Sequence, residues 1–260
     1  MSIVYNPFYS LAGVLVGLLV GLTGVGGGSL MTPLLVLVFG FHPVTAVGTD
    51  LLYASATKTV GTIVHGWRGT VDWRVVRRLA TGSLPATIAT LFVLDIIMHR
   101  SGDSGHLLST ILGGALLLTA VAILFRERIV GRLAPHFVAV NERRIAWLTI
   151  LLGGVLGVLV SLTSVGAGAL GMTALLVLYP RLEVKRLVGS DIAHAVPLTL
   201  IAGLGHLSLG AVDLSLLVSL LAGSVPGIVI GSLVAARVSD KVLVPILAVT
   251  LALVGAKLLF

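Results

Sequence analysis

The chain has 260 residues, 57% of them hydrophobic and only 10% charged, and its mean hydropathy is +1.13. A soluble domain carries roughly 25% charged residues, so the composition points to an all-α polytopic membrane protein with nothing left over for a soluble domain. The net charge of +7 falls in short loops between apolar segments, which is a topology signal and not a nucleic-acid surface, and the absence of cysteine excludes disulfides and thiolate chemistry.

No Lys or Arg precedes Lys58, so the first apolar stretch lacks the basic flank of a signal peptide and is expected to be retained. Apolar segments then run over 10–39, 46–66, 75–97 and 107–125, and about 20 such residues suffice to cross a bilayer. The first segment is interrupted by the glycine-rich run from Thr23 to Ser29. A linker follows with Arg126, Arg128, Arg132, Arg143 and Arg144, and then apolar segments over 146–179, 188–208, 214–236 and 241–260. The chain thus divides into a first transmembrane repeat (1–125), a basic cytoplasmic linker (126–145) and a second repeat (146–260).

The repeat rests on one spacing. Asp50 and Asp191 stand 141 residues apart, and so do His65 and His206, Gly69 and Gly210, Asp72 and Asp213, and Pro85 and Pro226. The glycine break returns as Thr163-Ser164-Val165-Gly166-Ala167-Gly168. Matching rare polar residues at one offset marks an internal duplication.

Loop charges predict how the halves are oriented. The loop 41–47 has no Lys or Arg, whereas its counterpart carries Arg181, Lys185 and Arg186. The next loop reverses the bias, since Arg68, Arg74, Arg77 and Arg78 align with Leu209, Ser215, Val218 and Ser219. Cytoplasmic loops accumulate Lys and Arg, so the exchange implies two inverted-topology repeats. Each would combine a glycine-broken element, either a re-entrant hairpin or a pair of short helices, with three transmembrane helices. Both termini would then face outward.

Unwound backbone at membrane depth survives only where it is buried in protein or lines a wet cavity, and a duplicated break is a pointer to a transport site. Each break also opens a half-helix whose first amides favour an anion. The expected oxyanion site comprises Thr23, Gly24, Gly26, Gly27, Gly28 and Ser29, with Thr163, Gly166 and Gly168 from the second half. The other reading is that these glycines only allow close helix packing.

Lys58 lies mid-segment, where an ammonium needs a partner or water. Its repeat mate is Thr199, so symmetry of folding does not demand it, and it is expected to complement an anionic substrate or pair with a carboxylate. Asp50 and Asp191 read either as helix caps or as proton-coupling groups, with His194 one turn after Asp191 on the same face. His65 and His206 read as interfacial or loop-bonding residues. No histidine pair has metal-ligand spacing, so no metal and no cofactor are expected. Pro85 and Pro226 read as matched kinks or as packing relief.

The run Thr-Gly-Val-Gly-Gly-Gly-Ser-Leu-Met-Thr-Pro at 23–33 resembles the signature of the TauE/SafE family of sulfite exporters, as do 47–53 and 69–73. The resemblance implies a secondary transporter of the prokaryotic cell membrane, moving sulfite or an organosulfonate. The second half departs from the signature at Ser164, Ala167 and Ala174, where Pro33 would align. The resulting expectation is alternating access with proton coupling, and no enzyme chemistry. The alternative is a carrier or passive channel for another small organic or inorganic anion. The expected partners are that anion, the lipid bilayer and a second copy of the chain.

Overall fold

The computed structural model describes residues 5–23, 28–67, 69–100, 104–166, 168–234 and 240–259. The chain forms α1 (Pro7–Thr23), α2 (Gly28–Leu37), α3 (Pro43–Trp67), α4 (Trp73–Arg100) and α5 (Ser104–Leu124). After α6 (Arg126–Phe137) come α7 (Glu142–Thr163), α8 (Leu170–Leu178), α9 (Val184–Ser208), α10 (Leu214–Val234) and α11 (Asp240–Leu259). The 141-residue spacing carries the bounds of α3 onto those of α9 at both ends, and α2 onto α8 within one residue.

Local chemistry sets these boundaries. Proline suits the first turn of a helix, and α3 begins at Pro43. Asn141 caps α7 by accepting the Arg143 amide at 3.0 Å, and Ser164, at φ 56°, ends that helix in the left-handed conformation. Gly69 (φ 64°) and Gly210 (φ 71°) supply the same reversal after α3 and after α9. Asp72 Oδ1 then accepts from the Arg74 and Val75 amides, and Asp213 Oδ1 from the Leu216 amide, so the next helix of each half starts at an aspartate.

In both halves the helices on either side of the glycine break return to a common level. The Tyr9 ring near the start of α1 lies 5.2 Å from Phe39 and 5.7 Å from Phe41, just past α2. In the second half the Tyr179 hydroxyl, at the end of α8, is 2.8 Å from Thr149 Oγ1 near the start of α7. Each broken element therefore begins and ends at one level.

The halves interlock reciprocally: α1 packs on α10 and α7 on α4, while α3 packs on α9 and α5 on α11. Small residues let these helices approach. A Cβ on Gly82 would strike the Ile150 carbonyl, and one on the equivalent Gly223 would strike the Ser10 carbonyl. Pro85 and Pro226 lie three residues on, inside uninterrupted helices. The same contacts give directions. Gly48 meets His206, Leu52 meets Gly203, Gly61 meets Ile192 and His65 meets Gly189, so α3 and its counterpart α9 run antiparallel. Gly113 against Leu259 and Leu117 against Gly255 make α5 and α11 antiparallel as well.

Among the described residues, three helices are long and apolar enough to cross a membrane, within α4, α7 and α9, or four if α5 and α6, bent by 75°, count as one span. Shorter apolar helices cover Pro7–Leu18, Leu214–Ile230 and Ala248–Leu259, and α3, which matches α9 in length, is diluted by Asp50, Lys58 and several threonines. Phe92, Trp147, Leu151 and Leu253 point away from the packed interior, as side chains facing lipid would.

Candidate functional site

The centre of the molecule is the antiparallel α3–α9 pair. The midpoint of the facing residues, taken as the α3–α9 crossing, falls between Ala56 and Thr57 on α3 and between Pro197 and Leu198 on α9. At 1.5 Å of rise per residue, Lys58 lies about 2 Å along its helix from that crossing, and Asp50 and Asp191 each about 10 Å from it in opposite directions. Val47, Leu51, Val160, Ala195, Leu198 and Ala202 form the apolar packing around them.

Asp50 is fully buried, and its Oδ2 accepts from the Thr32 amide at 3.1 Å and the Thr32 hydroxyl at 2.5 Å. The carboxylate thus sits at the first turns of α2, where the helix dipole favours negative charge. Its Oδ1 has no partner, and neither has the buried hydroxyl of Ser164, which lies beside Asp50 outside hydrogen-bonding geometry. Asp191 is also buried, with Oδ1 unpartnered, and packs on the opening of α8, where a Cβ on Gly171 would stand 2.9 Å from that oxygen. The half-buried Lys58 is within electrostatic reach of both carboxylates, Asp191 more strongly, and Arg126 at the α5–α6 corner also acts on Asp191.

His194 is buried and its Nε2 lies 2.8 Å from Ser83 Oγ, while its Nδ1 has no partner. Tyr53 occupies the equivalent position on α3, beside the equivalent Ser224, with its hydroxyl unpartnered. Neither Asp50 nor Asp191 caps its own helix. The preceding hydroxyls do the capping across the repeat: Thr49 Oγ1 accepts from the Asp213 amide at 3.1 Å, and Ser190 Oγ from the Asp72 amide at 2.8 Å. His65 bonds its loop through Thr70 at 2.8 Å, as a loop residue should. His206 is instead fully buried, with Nε2 donating to the Ser161 carbonyl at 2.8 Å.

Gly24, Gly26 and Gly27 lie outside the described residues, as do the side chains of Thr23 and Ser29. Thr23 closes α1 and Gly28 opens α2. In the second half the break is more self-contained than its composition suggests. The Thr163 hydroxyl donates to the Leu159 carbonyl at 2.7 Å and accepts from the Val165 amide at 3.1 Å. Gly166, at φ 117°, turns its carbonyl onto the Leu170 and Gly171 amides at 3.1 and 3.0 Å, so those two amides of the half-helix are already bonded. Gly168 is buried in the same turn.

Thr32, Tyr53, Ser83, Arg126 and Ser164 also belong to the site, beyond the residues expected from the sequence. Thr32 and Ser83 fall inside motifs noted for their glycine and proline, and Arg126 reads in the sequence only as a linker charge.

The sequence model of the family described as "Sulfite exporter TauE/SafE" matches residues 9–258. A Bacillus subtilis protein named "Probable membrane transporter protein YjnA" is 39% identical over 216 residues, covering 82% of this chain and 84% of its own. "Probable membrane transporter protein YdhB" of the same organism is 28% identical, covering 80% and 82%. A "Probable membrane transporter protein" of Methanocaldococcus jannaschii is 27% identical, covering 76% and 70%. No solved structure matches.

Proposed function

The chain belongs to the TauE/SafE sulfite exporter family, and from that premise we propose that this multi-pass membrane protein is a secondary transporter of a small sulfur-containing anion, sulfite or an organosulfonate, working by alternating access with proton coupling. The observation that carries the reading is the polar cluster at the α3–α9 crossing. One ammonium, Lys58, lies between two buried carboxylates that come from equivalent positions in the two halves. Buried ionisable groups in membrane helices mark ion and substrate pathways.

The halves are inverted repeats in this reading. Support comes from the antiparallel α3–α9 and α5–α11 pairs, the two one-sided hairpins and the exchanged loop charges. Loops 68–78, 126–144 and 181–186 then face the cytoplasm and both termini face outward. Inverted repeats that share a midplane site are the arrangement that rocks between two faces.

Electrostatics gives the coupling. An anion entering a site with two carboxylates meets like charge in a medium where unit charges interact strongly. It can be held when Lys58 turns to it and a proton neutralises the carboxylate left behind. Proton and anion therefore bind together. The relatives' names stop at membrane transport, and sulfur specificity rests on the family.

Sulfite and sulfonate flux into proteoliposomes, with and without an imposed proton gradient, tests the reading. Uphill accumulation in the wild type is expected, and Lys58→Ala should lose at least tenfold. No flux of any sulfur oxyanion removes the substrate assignment, and flux that a gradient cannot drive uphill makes the protein a channel.

A further inference from the structure

We infer that Lys58 is one counter-ion shared by two carboxylates: it pairs alternately with Asp191 and Asp50 as the halves exchange, and the carboxylate it leaves takes up one proton. The inference deepens the transport reading and rests on it.

The geometry is arithmetic in charge. Two carboxylates stand symmetrically about the α3–α9 crossing, and the structure supplies one ammonium at that crossing, because the residue equivalent to Lys58 is Thr199. The Thr199 hydroxyl is spent on the Ala195 carbonyl at 2.8 Å within its own helix. Each carboxylate keeps one buried oxygen, Oδ1, without a partner. A buried acceptor without a donor is costly, and two such oxygens on carboxylates within electrostatic reach of one ammonium offer it two berths.

The groups facing these carboxylates come from every neighbouring element. Asp191 on α9 meets Lys58 from α3, Arg126 from the α5–α6 corner and Gly171 from α8, with His194 one turn along and bonded to Ser83 of α4. Asp50 on α3 meets Thr32 from α2, Ser164 from the end of α7 and, one turn along, Tyr53 beside Ser224 of α10. In the arrangement described here Lys58 acts more strongly on Asp191. The proton then belongs on Asp50 Oδ1, the oxygen that Thr32 leaves unpartnered.

The exchange balances. Lys58 remains an ammonium throughout. When it moves to Asp50, the proton leaves the Asp50 carboxyl for the water on that side. A proton from water on the other side then forms an O–H bond on Asp191. The triad stays neutral in both states, and each exchange releases one proton and takes up another.

Double-mutant cycles on thermal stability test the sharing without any transport assay. Lys58→Ala is combined separately with Asp50→Asn and Asp191→Asn in purified protein. With Lys58 on Asp191 and the proton on Asp50, Asp191→Asn should reduce the loss caused by Lys58→Ala by at least about 2 °C in Tm, and Asp50→Asn should change it little. Absence of coupling to Asp191, or equal coupling to both carboxylates, would overturn the inference.

The chain has no cysteine, so single reporters can follow the exchange. Phe41→Cys and Leu182→Cys occupy equivalent half-buried loop positions in the two halves. Asp191→Asn should send Lys58 to Asp50 and change thiol labelling at the two reporters in opposite directions, several-fold each. Asp50→Asn should leave Lys58 on Asp191 and keep the pattern of the wild type in its Lys58–Asp191 state. Identical labelling in both variants would overturn the exchange. Lys58→Arg, which keeps the charge, should preserve the stability coupling, and its loss there would show that packing and not charge was measured. Absence of anion flux in the wild type would remove the transport reading while leaving these cycles intact.

Discussion

The two halves share a scaffold and differ in charge. Thr49 and Ser190 hold the loop before the other half's α10 and α4 in the same way, and Gly82 and Gly223 admit a crossing backbone at the same place. The polar groups diverge at the centre. Asp50 receives both donors of Thr32, whereas the equivalent Thr173 turns its hydroxyl and its amide onto the Ala169 carbonyl and gives nothing to Asp191. His194 is bonded to Ser83 where Tyr53 beside Ser224 is not, and Lys58 faces a threonine as its mate. The two halves thus share packing positions and carry unequal chemistry at the centre, which in the proposed carrier would distinguish the two directions.

The scaffold half of that comparison breaks under the largest expected effect. Gly82→Val and Gly223→Val push a side chain into a backbone carbonyl that cannot step aside. Each should destabilise by about 3 kcal/mol or more, read as lost folded yield and a lower Tm. Gly114, which has open space around its would-be Cβ, is the control, and Gly114→Ala should be neutral or mildly stabilising. A large difference between the two valine variants would mean that the halves do not pack alike.

The charge half is sharpened by Thr32→Val against Thr173→Val. The first removes a short hydrogen bond to a fully buried carboxyl and should cost about 2–3 kcal/mol. The second removes only an intrahelical contact and should stay within about 0.5 kcal/mol. Equal shifts in thermal unfolding would erase the asymmetry at the carboxylates. Next in size is Ser83→Ala, which leaves His194 Nε2 buried without its partner and should cost about 1–2 kcal/mol. Ser224→Ala should cost less, since its hydroxyl makes only a 3.5 Å contact with the Leu221 carbonyl.

Much of the scaffold was legible because intramembrane polar residues are rare and their spacing is hard to mistake. Asp50, Asp191, His194 and Lys58 stood out for the same reason, as ionisable residues within apolar segments. Thr32, Ser83 and Ser164 did not, because hydroxyls in apolar helices usually bond the carbonyl one turn back. Thr59, Thr62, Thr90 and Thr119 do so here. Only packing reveals which hydroxyl turns outward to a partner. The second break likewise looked open in sequence, yet Gly166 folds its own carbonyl over the Leu170 and Gly171 amides, a closure that depends on a positive φ.

The smallest expected effect tests whether the asymmetry is confined to the charges. Thr49 and Ser190 directly precede the two carboxylates, and each accepts a backbone amide from the opposite half, at 3.1 and 2.8 Å. These bonds tie the start of α10 to α3 and the start of α4 to α9, so they carry the interlock and not the site. Thr49→Ala and Ser190→Ala should each lower stability by about 1 kcal/mol, equally within error, as read by thermal unfolding. A marked inequality would place the functional difference in how the halves are held together, and the carboxylates and Lys58 would then inherit their unequal surroundings from the scaffold itself.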